Sequence, residues 1–225
     1  LETPLPCPPL RHLDFGFTKN INTWQNSAGQ ISTVASHTGR NSYKLTGSIT
    51  ISKEAGSANP STNPILSYDA QGRYVLNSNE ISKGFSPISG KKYVFSCWVN
   101  DGSPNTNTLN NVTISVNGQN ASGNVPVVEG WKKVEIVFEG GTDFTLYMQG
   151  SSAYIDDVRI HPFDAQMASY VYDNRSLRLM AQLDENNFAT LYEYDDEGTP
   201  IRVKKETERG VMTISESRQS LRKRY

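Results

Sequence analysis

The sequence has little cysteine, little histidine and no long apolar run, and each scarcity closes off a class of protein. Two cysteines, Cys7 and Cys97, stand among 225 residues, too few for the disulfide framework of a small secreted scaffold. They leave two readings open: a buried thiol at Cys97 beside an incidental one at Cys7, or a bridge between the two in an oxidising compartment. Three histidines, His12, His37 and His161, are scattered along the chain. No G-x-S-x-G elbow, H-E-x-x-H helix, Cys-x-x-Cys pair or phosphate-cradling glycine loop accompanies them. The chain is therefore read as non-catalytic. With no run of about 18 apolar residues, no transmembrane segment is expected. A formal net charge of −1 supplies no basic field for nucleic acid. Nothing at the start reads as a signal peptide. Residues 1–13, opening LETPLPCPPL, read instead as a stiff proline-rich linker within a longer protein.

What the chain does have is Ser, Thr, Asn and Gly, with turn signals at Asn100-Asp101-Gly102, Asn117-Gly118 and Gly140-Gly141. Strand-like runs lie between them: QISTVAS, SYKLTGSITI, RYVLN, KKYVFSCWVN, NVTISVN, WKKVEIVFEG, FTLYMQG and AYIDDVRIHP. In the sixth, Val134, Ile136 and Phe138 fall on one face and Lys133, Glu135 and Val137 on the other, the pattern of a half-buried strand. Val112, Ile114 and Val116 point inward by the same alternation. The pattern predicts an all-β protein in which residues 14–162 form a jelly-roll β-sandwich. Residues 163–225 change character. YVYD, RLMAQL, ATLYEYD, PIRVKKE and GVMTI alternate with the turns NRS, DENN and DDEG, which predicts a small antiparallel β-meander of consecutive hairpins. Tyr170, Tyr172 and Asp173 are echoed by Tyr192, Tyr194 and Asp195. The tyrosines read as a cross-strand aromatic ladder and the aspartates as turn formers. Gly198 in the second copy is replaced by Ser176 in the first, removing the residue best suited to positive φ.

The succession DFGFTKNINTW, SHTGRNSYKL, FSPISGKKYVFSCWV, GWKKVEIVFEG and AYIDDVRIHP resembles the galactose-binding-like jelly roll of carbohydrate-binding modules over most of residues 14–162. The Y-x-Y-D units resemble the YD repeats of the RHS family. Together they resemble the C-terminal region of large secreted or surface proteins of Bacteroidota, some of which leave through the type 9 secretion system. The resemblance implies an extracellular or outer-membrane-associated module for display, spacing or docking, with protein partners at the cell surface. Two alternatives follow from it: a carbohydrate-binding module of a larger enzyme or adhesin, and the scaffold of an RHS-type toxin.

Four groups of residues are candidates for chemistry. The related jelly rolls imply a structural calcium, the one cofactor expected here. It would be held by Asp14, by the turn at His37, Thr38 and Gly39 through carbonyl oxygens, and by Asp156, since a hard cation takes oxygen ligands. A salt bridge or capping role is the other reading of the same carboxylates. Asp156-Asp157 and Asp195-Asp196 are adjacent pairs, and neighbours on a strand point to opposite faces, so neither pair is expected to act as an acid and base. For sugar stacking, Trp24 and Tyr68 lie in polar settings, whereas Trp98 and Trp131 read as packing residues. Finally, the tail RQSLRKRY offers Arg218, Arg222, Lys223 and Arg224 for docking onto an acidic partner; a solvated face or a short terminal helix is the other reading.

Overall fold

The computed structural model describes residues 29–54, 66–68, 74–76, 87–141, 143–173 and 176–217, with side chains at 51–54, 66–68, 74–76 and 143 left out. The proline-rich start, Cys7, Asp14, Trp24, the loop 55–65 and the basic residues from Arg218 onward lie outside the described residues, and Tyr68 is described only as backbone. Every regular element described is a strand. No helix long and apolar enough to cross a membrane occurs among these residues.

Among the described residues, twelve strands precede residue 163. They are β1 (Gly29–Ser32), β2 (Ser42–Leu45), β3 (Ser48–Glu54), β4 (Leu66–Tyr68), β5 (Tyr74–Leu76), β6 (Lys92–Asn100), β7 (Val112–Val116), β8 (Gln119–Asn120), β9 (Val127–Val128), β10 (Trp131–Glu139), β11 (Asp143–Gly150) and β12 (Tyr154–Pro162). One sheet runs β1-β2-β12-β6-β10-β9 and the facing sheet β3-β11-β7-β8. The chain passes from one sheet to the other at β2–β3, β6–β7, β8–β9, β10–β11 and β11–β12, and between β3 and β6 by way of the separate β4–β5 pair, which is jelly-roll connectivity. The run SYKLTGSITI is therefore two strands in different sheets. Asn117 and Gly118, with φ of 50° and 78°, close β7 onto β8, and positive φ at both central residues is what such a two-residue turn requires.

The alternation read from the sequence places the core. Val134, Ile136 and Phe138 on β10 are each at most 4% exposed and meet Val112, Ile114 and Val116 from the other sheet in one cluster. Strand β6 departs from the half-buried pattern. Tyr93, Phe95, Cys97 and Val99 enter the core, but Ser96 and Trp98 on the opposite face are buried as well. Both faces of this strand are covered, as in sheets sandwiched between two layers.

The cover comes from the five described strands that follow: β13 (Ser169–Tyr172), β14 (Leu179–Leu183), β15 (Ala189–Tyr194), β16 (Pro200–Thr207) and β17 (Gly210–Glu216), paired in chain order. Asp173, Asp184 and Asp195 open three of the turns and are spaced eleven residues apart. Each uses its carboxylate to accept turn amides: Ser176 N–H at Asp173, Asn186 and Phe188 N–H at Asp184, Thr199 N–H at Asp195. The turn-forming role expected of Asp173 and Asp195 is thus seen directly. The tyrosine ladder is not. Strand β14 lies between β13 and β15, so Tyr170 and Tyr172 never stand opposite Tyr192 and Tyr194. Tyr170 and Tyr172 are instead exposed, at 48% and 41%, while Tyr194 donates its hydroxyl to the Leu179 carbonyl at 2.9 Å.

Candidate functional site

The turn after β1 carries His37, whose side chain is almost wholly buried between the sandwich and the meander. Its position follows from local chemistry. Asp156 on β12 accepts the backbone N–H of His37 at 2.7 Å and of Thr38 at 3.3 Å. Asp157 accepts the Thr38 hydroxyl at 2.7 Å. Two successive carboxylates can hold one turn because β12 is irregular here. The register to β6 shifts between Asp156 and Arg159, and Asp157 has φ of 48°. The bulge cancels the strand alternation and brings both carboxylates to the same turn, contrary to the opposite-face expectation.

The imidazole then joins the two halves of the chain. Nδ1 faces Asp157 Oδ2 at 2.6 Å, and Nε2 faces Glu206 Oε1 on β16 at 2.9 Å. With carboxylates at both nitrogens the ring holds both protons as an imidazolium. Its face stacks on Trp98 at 4.2 Å and its edge meets Trp131 at 5.6 Å. Burial alone pushes the ring pKa down. The hydrogen bonds and charges of Asp157 and Glu206 outweigh it and raise the value to about 10. Asp156 moves the other way from an ordinary surface carboxylate: burial and the neighbouring Asp157 charge hold its pKa well above the usual range.

Further bonds extend the junction. The other Glu206 oxygen accepts the Ala189 N–H at 3.0 Å. The Trp98 indole N–H donates to the Asn187 carbonyl at 2.7 Å, and the Asn187 amide donates to the Asp157 carbonyl at 3.1 Å. Arg159, fully buried, gives its guanidinium to the Asp184 carbonyl, Asn187 Oδ1 and the Met167 carbonyl at 2.7–2.9 Å. Trp98, Trp131 and Val128 form the apolar part, with Phe188 and Val211 of the meander packed against them. Gly39, with φ of 63°, sits so close to the meander that a Cβ would come within 2.9 Å of Val171 Cγ1.

Of the residues expected at a calcium site, His37, Thr38, Gly39 and Asp156 do come together, and Asp14 lies outside the described residues. The turn presents N–H donors to Asp156 where carbonyl oxygens were expected, and the Gly39 carbonyl accepts the Ser36 hydroxyl at 3.2 Å. Among the described residues no group of three or more His, Cys, Asp or Glu side chains is arranged to hold a metal ion. Trp98 and Trp131 are packing residues, as read from the sequence. Cys97 is a free thiol at 0% exposure, its pKa raised by burial. Glu206, Asn187 and Arg159 were not singled out from the sequence. A charged Glu within the strand PIRVKKE was the available signal, eleven residues after Asp195.

No protein-family model matches the chain, and no curated protein matches it. Among solved structures, one that it resembles is the N-terminal tandem of two carbohydrate-binding modules, CBM22-1 and CBM22-2, from Paenibacillus barcinonensis Xyn10C. The identity is 12% and the TM-score 0.37, over 89% of this chain and 61% of the other.

Proposed function

We propose that the chain is a non-catalytic module of a larger secreted or cell-surface protein, in which a jelly roll is fixed to a YD-type hairpin sheet and serves for display, spacing or docking in an adhesion or outer-membrane assembly. The observation that carries this reading is the His37 clamp. The buried polar cluster around His37 spends its hydrogen bonds on joining two structural layers, and an imidazolium held by carboxylates on both nitrogens is poorly suited to proton transfer. The eleven-residue spacing of Asp173, Asp184 and Asp195 supports the hairpin-repeat reading, and with it the RHS-type context, in which more repeats would belong to the parent protein. The test is tumbling in solution. A rigid spacer gives one rotational correlation time by nuclear relaxation for β6 amides and β15 amides alike. Two separate correlation times would dismiss it.

A second reading, glycan binding, is favoured by one observation. Tyr170 and Tyr172 are exposed on the same face of the edge strand β13, and sugars stack on such rings. A glycan array on the whole chain, repeated with Tyr170→Ala/Tyr172→Ala, decides it. Binding that the double substitution abolishes would replace the spacer reading; binding to no glycan would retire this one. The calcium expectation has its own measurement, melting with and without a chelator. The N–H donors around Asp156 lead us to expect no change.

A further inference from the structure

A further buried charge lies one residue from Trp131 of the His37 clamp but on the opposite face of the strand. Lys132 is on β10, on the same face as Val134 and Ile136, and is 0% exposed. A fully buried lysine is unusual and needs partners for its ammonium. The loop between β6 and β7 supplies them. Asp101 gives Oδ1 at 2.8 Å and Oδ2 at 2.7 Å, Thr106 its hydroxyl oxygen at 3.1 Å and Thr108 its carbonyl at 2.7 Å. The Asp101 side chain is likewise closed off from solvent. Its carboxylate also accepts the N–H of Ser103 at 3.0 Å and of Asn110 at 2.7 Å. Burial works against the charged carboxylate, but the Lys132 ammonium and these amides prevail and lower its pKa, so the pair is ionic.

A bidentate carboxylate, a hydroxyl and a backbone carbonyl converging from one short Asp-, Asn- and Thr-rich loop form a donor set that hard cations take. The separations of 2.7–3.1 Å are those of N–H···O bonds. We propose that the loop 101–110 is a cation cage whose resident cation is the protein's own Lys132 ammonium, tethered through β10, and that the vacated cage accepts a small divalent cation. The tether makes this corner independent of dissolved metal. It also fixes Thr108 and Leu109, which line a surface cleft with Val112, Asn120 and Ala121. The Lys132 site is separate from the expected calcium position at Asp156, so the two can be tested apart.

The test uses the whole chain and calcium as the probe. Lys132→Ala opens the cage, whereas Lys132→Met fills it with an apolar stem. Both should melt about 6–20 °C below the unaltered chain in chelator, the scale for breaking a buried pair. Added calcium should raise the melting temperature of Lys132→Ala saturably, and leave Lys132→Met and the unaltered chain where they are. Adding Asp101→Asn to Lys132→Ala should remove the calcium response. A Lys132→Ala protein that folds and ignores calcium, or a response that survives Asp101→Asn, overturns the cage. Should the substituted chains fail to fold, the unaltered chain still decides. The amides of Ser103 and Asn110 should be protected from hydrogen exchange, and exchange at open-loop rates would refute a braced cage.

Discussion

At the residue scale, the molecule depends on a few side chains that each serve two layers. His37 is the first. Replacing it by Gln keeps a polar group but removes the cation that Asp157 and Glu206 share. The expected loss is about 3–5 kcal/mol, read as a lower denaturant midpoint in chemical unfolding. The pH dependence follows from the sign of the shift. The ring pKa rises from 6.5 unfolded to about 10 folded, so its stabilisation is complete below about pH 6.5 and fades as pH rises through 10. The raised Asp156 carboxyl acts in the same sense, favouring the fold at lower pH. Unfolding measured at pH 6, 8 and 10 should therefore show falling stability in the unaltered chain and a much flatter profile in His37→Gln. An equal slope in both would assign the pH dependence to other groups. The sequence brought His37, Thr38 and Asp156 together through a resemblance and left open whether the carboxylate holds a cation or caps the turn; the capping bonds are what the structure displays. The direction of a turn's N–H groups depends on φ and ψ, and the bulge at Asp157 depends on a register that no local pattern records.

At the element scale, the meander shows how one hairpin unit tolerates a changed turn. In the turn after β15, Gly198 takes φ of 92°, and a Cβ there would lie 2.6 Å from Arg178 Nη2. Arg178 fills that space because its guanidinium sits over the Tyr194 ring and donates to the Asp195 carbonyl at 3.2 Å. In the turn after β13, which lacks the glycine, the positive φ moves one place along to Leu177, at 56°. Leu177 is 69% exposed, so its left-handed backbone has no burial to offset it. Opposite effects are expected: Gly198→Ala lowers stability by about 1–2 kcal/mol, and Leu177→Gly raises it by about 0.5–1 kcal/mol. Thermal melting of both variants checks the pair, and a destabilised Leu177→Gly would contradict the strain assigned here. The substitution of Ser176 for glycine was legible in the sequence, but its consequence was not, because the strain lands on the next residue. Strand alternation in β10 and β7 was legible because one face of each meets the core. In β6 the apolar run carried no such alternation, because Trp98 and Ser96 are covered by the meander about ninety residues later in the chain.

At the scale of the whole molecule, three layers share the six-stranded sheet as their middle, and the question is whether they unfold together. The middle sheet gives its inner face to the jelly-roll core and its outer face to Phe188 and Val211 of the meander through Trp98 and Trp131. Polar groups fix the orientation that these apolar contacts leave loose. Arg159 is central, because one guanidinium reaches the Asp184 and Met167 carbonyls and Asn187 Oδ1, and so holds the link and the second hairpin turn against β12. A planar fork suits three divergent acceptors, whereas a lysine ammonium on the same stem cannot reach them all. Arg159→Lys keeps the charge and should cost about 2–3 kcal/mol through carbonyls left without donors. It should also change how the chain unfolds. In the unaltered chain, hydrogen exchange at β6 and at β15 should give the same opening free energy, because neither layer keeps its buried face without the other. In Arg159→Lys the β15 amides should exchange through a lower-energy opening while β6, still packed on the second sheet, changes less. Equal losses at both strands would mean that the apolar cluster alone couples the layers. Two different opening energies in the unaltered chain would mean that sandwich and meander are independent bodies, and the rigid-spacer function would fall with them.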